Sequence, residues 1–476
     1  MSEPVEQRDP RELRVWLAVT GAASIAALLI PSGPPGIGLL LVGLAIAGAV
    51  AAARPRPLDV ESASLGATAL LLLAMGTVYD AIWLVFVDVV VAAGCSAIAV
   101  TSSRSWASIA GAPFRVAREA MRVPASFAGS FPSRETGVDA GVAARALGVS
   151  ALLLVTFGAL FMSADAAFAR IAEDVLLPDI GTETLPARIT VGLLVLAGAG
   201  GLVLAGRTRA VALGPAASQI WQRAPRRPVS TFEWVVPLAL LDVLFAAFVV
   251  VQMTVLFGGH RHVLETTGLT YAEYARSGFF QLVTIAVLVL AVIAVTTRAT
   301  RETPRPRLVK VLLGILCVLT LVVLASALRR MDVYESAYGL TRIRVAVYAV
   351  DLWLAGLFVL VMVAGAAGRA PWLPRAVLAL SLAALLAFNL SNPEARIAES
   401  GVARWQATGE IDAYYLSTLS ADAVPSLLEF PAGVRACILD PIVDRTRRAT
   451  GAWSSFNVAR ARALDLTARE EPGCSY

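Results

Sequence analysis

The stretch FGGHRHVLETTGLTYAEYARSGFFQ, residues 257–281, is a polar island between two long apolar runs. It holds both histidines of the chain, His260 and His262. An apolar run of about 20 residues on each side of a short polar segment is the pattern of two membrane-spanning helices and their connecting loop. This stretch therefore predicts a membrane hairpin.

The second helix of that hairpin is expected to start at a capping box, because Thr270 is followed three residues later by Glu273. No residue from Tyr271 to Thr297 ends the helix, which gives it about 27 residues and a length of roughly 40 Å. That length exceeds the roughly 30 Å hydrocarbon core of a bilayer. The first turns of the helix are therefore expected to project beyond the membrane.

The composition extends this interpretation to the whole chain. Of its 476 residues, 57% are hydrophobic and 16% are charged, whereas soluble domains carry about 25% charged residues. The sequence predicts an all-α, polytopic membrane helix bundle with about 11 transmembrane helices. The expected spans are 13–31, 36–53, 63–79, 81–100, 146–165, 187–206, 231–257, 276–297, 308–327, 345–367 and 374–391.

The distribution of basic residues predicts the orientation. With the N-terminus inside, the inner segments hold 23 Lys and Arg residues and the outer loops hold 8. Positive residues accumulate on the cytoplasmic side, so we expect the N-terminus inside and the C-terminus outside a bacterial cytoplasmic (inner) membrane. The net charge of +5 then reflects loop placement, and no nucleic-acid partner is expected.

Four regions follow from this topology. Residues 1–100 form N-terminal membrane hairpins, 101–145 a basic cytoplasmic interfacial segment, 146–391 the transmembrane core, and 392–476 a small helical extracytoplasmic tail. The interfacial segment is predicted to lie on an anionic inner leaflet, with partner binding as the alternative. It carries four arginines, Arg104, Arg115, Arg118 and Arg122, with the apolar residues Trp106, Ile109 and Phe114 between the first and the second.

Local signals mark helix starts on the outer side. In Gly339-Leu340-Thr341, glycine permits a turn of positive φ and threonine caps the next helix. Asn392-Pro393 combines a cap with proline in the first helical turn. Cys437 and Cys474 both lie in the tail, and a disulfide between them is a candidate in an oxidising compartment.

Three stretches together resemble a known family: FGG…GLTYAEYARSGFFQL, RRMDVYESAYGLTRIRV, and NPEARIAES with GEIDAYYLSTLSADAVPSLL. They are similar to the bacterial membrane family called domain of unknown function 4173, which is close to domain of unknown function 4153. The resemblance covers roughly residues 150–435. It implies a multi-pass inner-membrane protein and brings no catalytic residues.

Acidic residues inside the predicted spans are the sharpest functional signal, because an ionised group in hydrocarbon requires a partner. Arg344 precedes Asp351 by seven residues on a similar helix face. A polar pathway is one interpretation, and buried ion pairs and hydrogen bonds between helices are the structural alternative. The ligand or pathway candidates are Asp88, Asp242, Gln252, Glu273, Arg276, Arg330, Asp332, Arg344 and Asp351.

His260 and His262 are candidate metal ligands, since residues i and i+2 of an extended segment point the same way. The alternative is a pair of solvated histidines at the headgroup level. No GxSxG, HExxH, SxxK, Walker A or GxGxxG motif occurs in a suitable context, so a non-enzymatic role is favoured and no cofactor is expected.

Three functions remain open. The first is envelope sensing or scaffolding, in which the loops at 258–277 and 328–344 and the tail bind an envelope protein or a small molecule. The second is a secondary transporter or channel that uses the intramembrane aspartates. The third is a membrane-embedded enzyme acting on a lipid or a cell-envelope precursor.

Overall fold

The computed structural model describes residues 10–54, 58–128, 185–207, 231–257, 279–299, 307–368, 370–449 and 451–468. Within these ranges the regular structure is helical and no strand occurs, as predicted. The helices of the N-terminal part are α1 (Pro10–Leu29), α2 (Ile37–Ala53), α3 (Val60–Val78), α4 (Ile82–Thr101), α5 (Trp106–Ala120), α6 (Val123–Ala128) and α7 (Leu185–Arg207).

The remaining helices form the second half of the chain. The long ones are α8 (Thr231–Phe257), α9 (Phe279–Ala299), α10 (Arg307–Tyr338), α11 (Arg342–Ala367) and α12 (Leu373–Leu390). The tail contains two 3-10 turns, Ala421–Ala423 and Trp453–Ser455. Its helices are α13 (Pro393–Thr408), α14 (Ala413–Ser417), α15 (Val424–Leu427), α16 (Ala432–Ala449) and α17 (Val458–Thr467).

Seven of the described helices are long and apolar enough to cross a membrane: Glu12–Leu29, Val60–Val78, Ile82–Thr101, Ala187–Arg207, Arg307–Asp332, Arg342–Ala367 and Leu373–Leu390. Three shorter apolar helices, Ile37–Ala53, Val235–Val250 and Leu282–Arg298, overlap further predicted spans. The predicted span 146–165 lies outside the described residues. The count of eleven therefore stays a prediction.

The predicted helix starts are confirmed where the structure describes them. The side chain of Thr341 accepts a hydrogen bond from the Arg344 N–H, and Gly339 has a φ of +72°. The side chain of Asn392 accepts from the Ala395 N–H at 3.3 Å, with Pro393 in the first turn. The run from Trp453 to Arg469 predicts one last amphipathic helix, and the helix in the structure is shorter, Val458–Thr467. It begins at Val458, because the Asn457 side chain caps it there. The capping box of Thr270 and Glu273 lies outside the described residues.

The chain divides into two compact units. Unit 1 comprises residues 1–215, 417–424 and 436–476, and unit 2 comprises residues 216–416 and 425–435. The tail therefore contributes to both units.

A buried core of unit 1 is formed by side chains of α1, α2, α4, α6 and α7 around Trp16, which is 1% exposed. Charged groups close the end of this unit at which α1 begins and α4 ends. Arg207 pairs with Glu12 at 2.7 Å, and Arg104 pairs with Asp59 at 2.7 Å.

At the other end of unit 1, the last part of the tail is bonded to two helix–helix loops. Arg460 is 2% exposed; its Nε donates to Asp80 Oδ1 at 2.8 Å and its Nη2 donates to the Pro35 carbonyl. The Asn457 amide donates to the carbonyl oxygens of Gly76 and Tyr79 at 3.0 and 2.9 Å. The α1–α2 loop, the α3–α4 loop and the end of the tail therefore lie on one side of unit 1.

Gly36, in the α1–α2 loop, is required by this close approach. A Cβ atom at this position would lie 2.5 Å from the Phe456 carbonyl oxygen and 2.6 Å from the Ser455 carbonyl carbon. Any larger residue would push the tail away from the loop.

The core of unit 2 is built by α8, α9, α10 and α11. Its innermost side chains are Leu316, Leu324, Ala327 and Phe358, which are at most 1% exposed. Met331 and Tyr334 connect this core to the segment 328–344, which forms one wall of the candidate site.

Candidate functional site

The turn between α10 and α11 forms one wall of the candidate site. Gly339 adopts its positive φ after the last turn of α10, and its N–H donates to the Glu335 carbonyl at 2.7 Å. This is the glycine-terminated helix end that satisfies a free carbonyl. It brings the end of α10 and the start of α11 side by side.

An ion pair connects this turn to the tail. Arg342 Nε donates to Glu394 Oε1 at 2.5 Å, and Nη2 donates to Oε2 at 3.0 Å. Glu394 is 0% exposed, so this two-point contact is the kind that holds a buried carboxylate. The Arg342 backbone N–H also donates to the Tyr415 hydroxyl at 2.8 Å. Burial raises the pKa of Tyr415 above its usual value, which keeps its hydroxyl protonated.

Arg344 and Tyr348 organise the acidic side of the site. Arg344 donates to the carbonyl oxygens of Tyr338, at 3.1 Å, and Gly339, and its guanidinium lies 4.2 Å from the centre of the Tyr334 ring. The Tyr348 hydroxyl lies 2.8 Å from Asp332 Oδ1 and 3.1 Å from Glu335 Oε2, so it holds the two carboxylates together.

A cleft of about 320 Å³ opens between this turn and α13. The α13 wall is mostly small side chains, which leaves room for a ligand, and Arg404 is bound to Glu410 at 2.6 Å. The carboxylates of Asp332 and Glu335 provide hydrogen-bond acceptors on the opposite wall. The lining residues are Asp332, Glu335, Gly339, Ser400, Ala403, Arg404, Ala407 and Thr408.

The three intramembrane aspartates are all buried in the structure, with Asp88 1%, Asp242 7% and Asp351 0% exposed. Both carboxyl oxygens of Asp242 and of Asp351 are without a hydrogen-bond partner among the described residues. Arg344, which the spacing placed on the face of Asp351, bonds instead to the α10–α11 turn. A long side chain near a helix end extends toward the polar boundary rather than into the apolar core.

Of the remaining ligand, pathway and metal candidates, the structure describes some and not others. Arg330 is buried at 7% exposure, and Asp332 lines the cleft. Gln252 belongs to α8, but its side chain lies outside what the structure describes, as do Glu273, Arg276, His260 and His262. Among the described residues no group of His, Cys, Asp and Glu is placed to hold a metal ion. The metal hypothesis for the histidines stays a prediction.

The cysteines differ between the spans and the tail. Cys95 and Cys317 are buried free thiols, as expected for small core residues. Cys437, in α16, is disulfide-bonded. Cys474 lies outside the described residues, so the proposed Cys437–Cys474 pairing stays a prediction.

The sequence did not single out Glu394, Arg404, Tyr348 or Tyr415. Glu394 carried one local signal, because an acidic residue directly after Asn392-Pro393 suits the first turn of a helix. Nothing local indicated that it pairs with Arg342, since 52 positions separate the two residues.

Comparison with profiles of known protein families assigns the chain to one of them. The profile of the family described as domain of unknown function (DUF4153) matches residues 67–430. This chain belongs to the DUF4153 family. The match is to the second of the two neighbouring families named from the sequence, and it extends further toward the N-terminus than the quoted stretches. No curated protein and no solved structure matches the chain.

The Arg342–Glu394 pair generates a test of how the site is held. Arg342→Met leaves the buried Glu394 carboxylate without this cation, and we expect it to lower the free energy of unfolding by about 3–5 kcal/mol. Glu394→Met leaves Arg342, whose side chain is 32% exposed, so we expect a smaller loss. The double variant removes both charges and is expected to recover most of the loss caused by Arg342→Met. Chemical denaturation in detergent measures the three values. Losses that simply add in the double variant would contradict the pairing.

Proposed function

We propose that this DUF4153 protein binds a polar ligand at the cleft between the α10–α11 turn and α13, and acts in sensing or scaffolding at the cell envelope. The main support for the proposal is which segments of the chain form the two walls of the cleft. One comes from residues 328–344 and the other from the tail, the two segments that the charge distribution assigns to the outer face.

The chemistry of the cleft supports a small ligand with charges of both signs. Asp332 and Glu335 accept hydrogen bonds on one wall, and Arg404 donates on the other. The volume of about 320 Å³ is at the lower end of the range for small-molecule sites. The ion pair of Arg342 with Glu394 holds both walls in place before a ligand arrives, which lowers the conformational cost of binding.

The proposed location is a bacterial cytoplasmic membrane with the N-terminus inside and the C-terminus outside. Its support is the excess of basic residues in the predicted inner segments. The seven long apolar helices fit a protein that crosses this membrane several times.

A ligand screen tests the cleft directly. Amino acids, polyamines and short oligosaccharides are added to the purified protein, and a binder is expected to raise the unfolding temperature through mass action. Ala403→Trp fills the cleft and is expected to abolish that rise. Gln406→Trp, on the same helix but outside the cleft lining, is the matched control and is expected to keep it.

Two results would count against the cleft. A shift that survives in Ala403→Trp places the ligand elsewhere on the protein. No shift with any of these compounds rules out the three ligand classes as occupants.

Proton-coupled transport is the second candidate, and the buried carboxyls of Asp242 and Asp351 favour it. A carboxyl inside an apolar core with no partner is held neutral or binds a cation or water. Each aspartate is about one helical turn from residues of the buried core. Leu354 follows Asp351 by three residues in α11, and Leu238 and Phe245 flank Asp242 in α8. The core of unit 2 includes these three apolar neighbours.

Replacing Asp351 separates a functional acid from a structural one. Asp351→Leu removes a buried polar group that has no hydrogen-bond partner among the described residues, so we expect the free energy of unfolding to rise by about 1–3 kcal/mol. A proton carrier would at the same time lose pH-driven uptake in proteoliposomes. A fall in stability would mean that Asp351 supports the fold, and unchanged uptake would remove its carrier role.

A further inference from the structure

Helix α5 carries an apolar face that is exposed in the part of the chain that the structure describes. The helix starts at a capping box in which the side chains of Ser105 and Ser108 each bond the other's backbone N–H. Its covered face includes Gly111, Ala112 and Glu119, which are buried. This side is the one turned toward the rest of unit 1.

Close packing on α7 fixes which face of α5 is covered. A Cβ atom on Gly201, near the end of α7, would lie 2.8 Å from the Val116 carbonyl oxygen of α5 and 3.0 Å from the Ala120 side chain. Only a glycine allows the two helices to approach this closely. The opposite face of α5 is therefore held outward.

The outward face is largely apolar. Trp106 is 51% exposed, Phe114 is 74% exposed and Met121 is 72% exposed. At 3.6 residues per turn these three positions fall on one side of the helix. Large apolar side chains in such a row mark a surface that contacts a membrane or another protein.

Cationic groups border this face. The side chains of Arg118 and Arg122 are 53% and 60% exposed, and both bond the buried carboxylate of Glu119, at 3.0 and 3.1 Å. One carboxylate neutralises one of the two guanidinium charges. Each guanidinium also keeps N–H donors that Glu119 does not use, and these suit phosphate oxygens.

We propose that α5 is a binding site for anionic phospholipid at the membrane surface. Trp106, Phe114 and Met121 enter the boundary between headgroups and acyl chains, and Arg118 and Arg122 bind lipid phosphate. A membrane is favoured over a protein as the occupant because α5 follows α4 and packs on α7, two helices long and apolar enough to be spans. Its exposed face is thus continuous with the surfaces of two candidate membrane spans.

The test uses the full-length protein in phosphatidylcholine vesicles that contain, as a minor component, either brominated phosphatidylcholine or brominated phosphatidylglycerol. Bromine quenches tryptophan by contact, and the Trp106 signal is the difference between the wild-type emission and that of Trp106→Phe. We expect brominated phosphatidylglycerol to quench this signal more than the same fraction of brominated phosphatidylcholine. Trp16 is 1% exposed, and the matching Trp16→Phe difference is expected to show no quenching.

A charge variant tests the role of the arginines. Replacing Arg118, Glu119 and Arg122 together by Gln removes one net positive charge without leaving the Glu119 carboxylate unpaired. We expect the preference for phosphatidylglycerol to fall about fivefold, equivalent to about 1 kcal/mol for one charge near an anionic surface. Quenching of Trp106 by brominated phosphatidylcholine is expected to persist, which shows that the variant keeps α5 in place.

Two outcomes would overturn the proposal. A Trp106 signal that neither brominated lipid quenches means that another protein or another part of the chain covers the face. Equal quenching by the two lipids means that the helix touches the bilayer without selecting anionic lipid. Because the cleft plays no part in this measurement, either result leaves the proposed ligand binding as it stands.

Discussion

The ion pair between Arg342 and Glu394 is the interaction on which the candidate site depends. A carboxylate that is 0% exposed is stable only with a cation and hydrogen bonds beside it. The two-point contact supplies both, and Tyr415 binds the backbone at the same position. Since Arg342 is the first residue of α11 and Glu394 lies in the first turn of α13, the pair fixes the turn against the tail and thereby defines the cleft.

Unit 1 also contains a buried charged residue of the tail that is held by an opposite charge and by hydrogen bonds. Arg460 is 2% exposed and is bonded to Asp80, to the Pro35 carbonyl of the α1–α2 loop and to the Ser455 carbonyl of the tail. Asn457 binds the loop after α3. In each unit, a buried charged residue of the tail is bonded to a group of opposite charge beside the end of an apolar helix. In each unit, part of the tail is thus held by polar contacts to the segments that join the helices. Asp242 and Asp351 are exceptions within unit 2, which is why they stand out as functional candidates.

How far the sequence predicts this structure depends on how local each signal is. The caps at Thr341 and Asn392 involve neighbours three residues away, and both are confirmed. The apolar helices follow from runs of hydrophobic residues, which need no knowledge of the fold. The pairs Arg342–Glu394 and Arg460–Asp80 join positions 52 and 380 residues apart, and no periodicity or spacing rule links them. The cleft could not be predicted for the same reason, because its walls meet only after the helices pack.

The proposed outer location of the tail and the cleft is tested most directly by labelling a single residue of the tail. Gln406→Cys introduces a thiol on an exposed position of α13, whereas Cys95 and Cys317 are buried. A maleimide that cannot cross membranes is added to intact cells, and labelling is compared with that of permeabilised cells and of the parent protein. If the tail lies outside, the cysteine at residue 406 reacts equally in intact and in permeabilised cells. Labelling that appears only after permeabilisation would place the tail and the cleft inside the cell and would contradict a ligand site on the outer face.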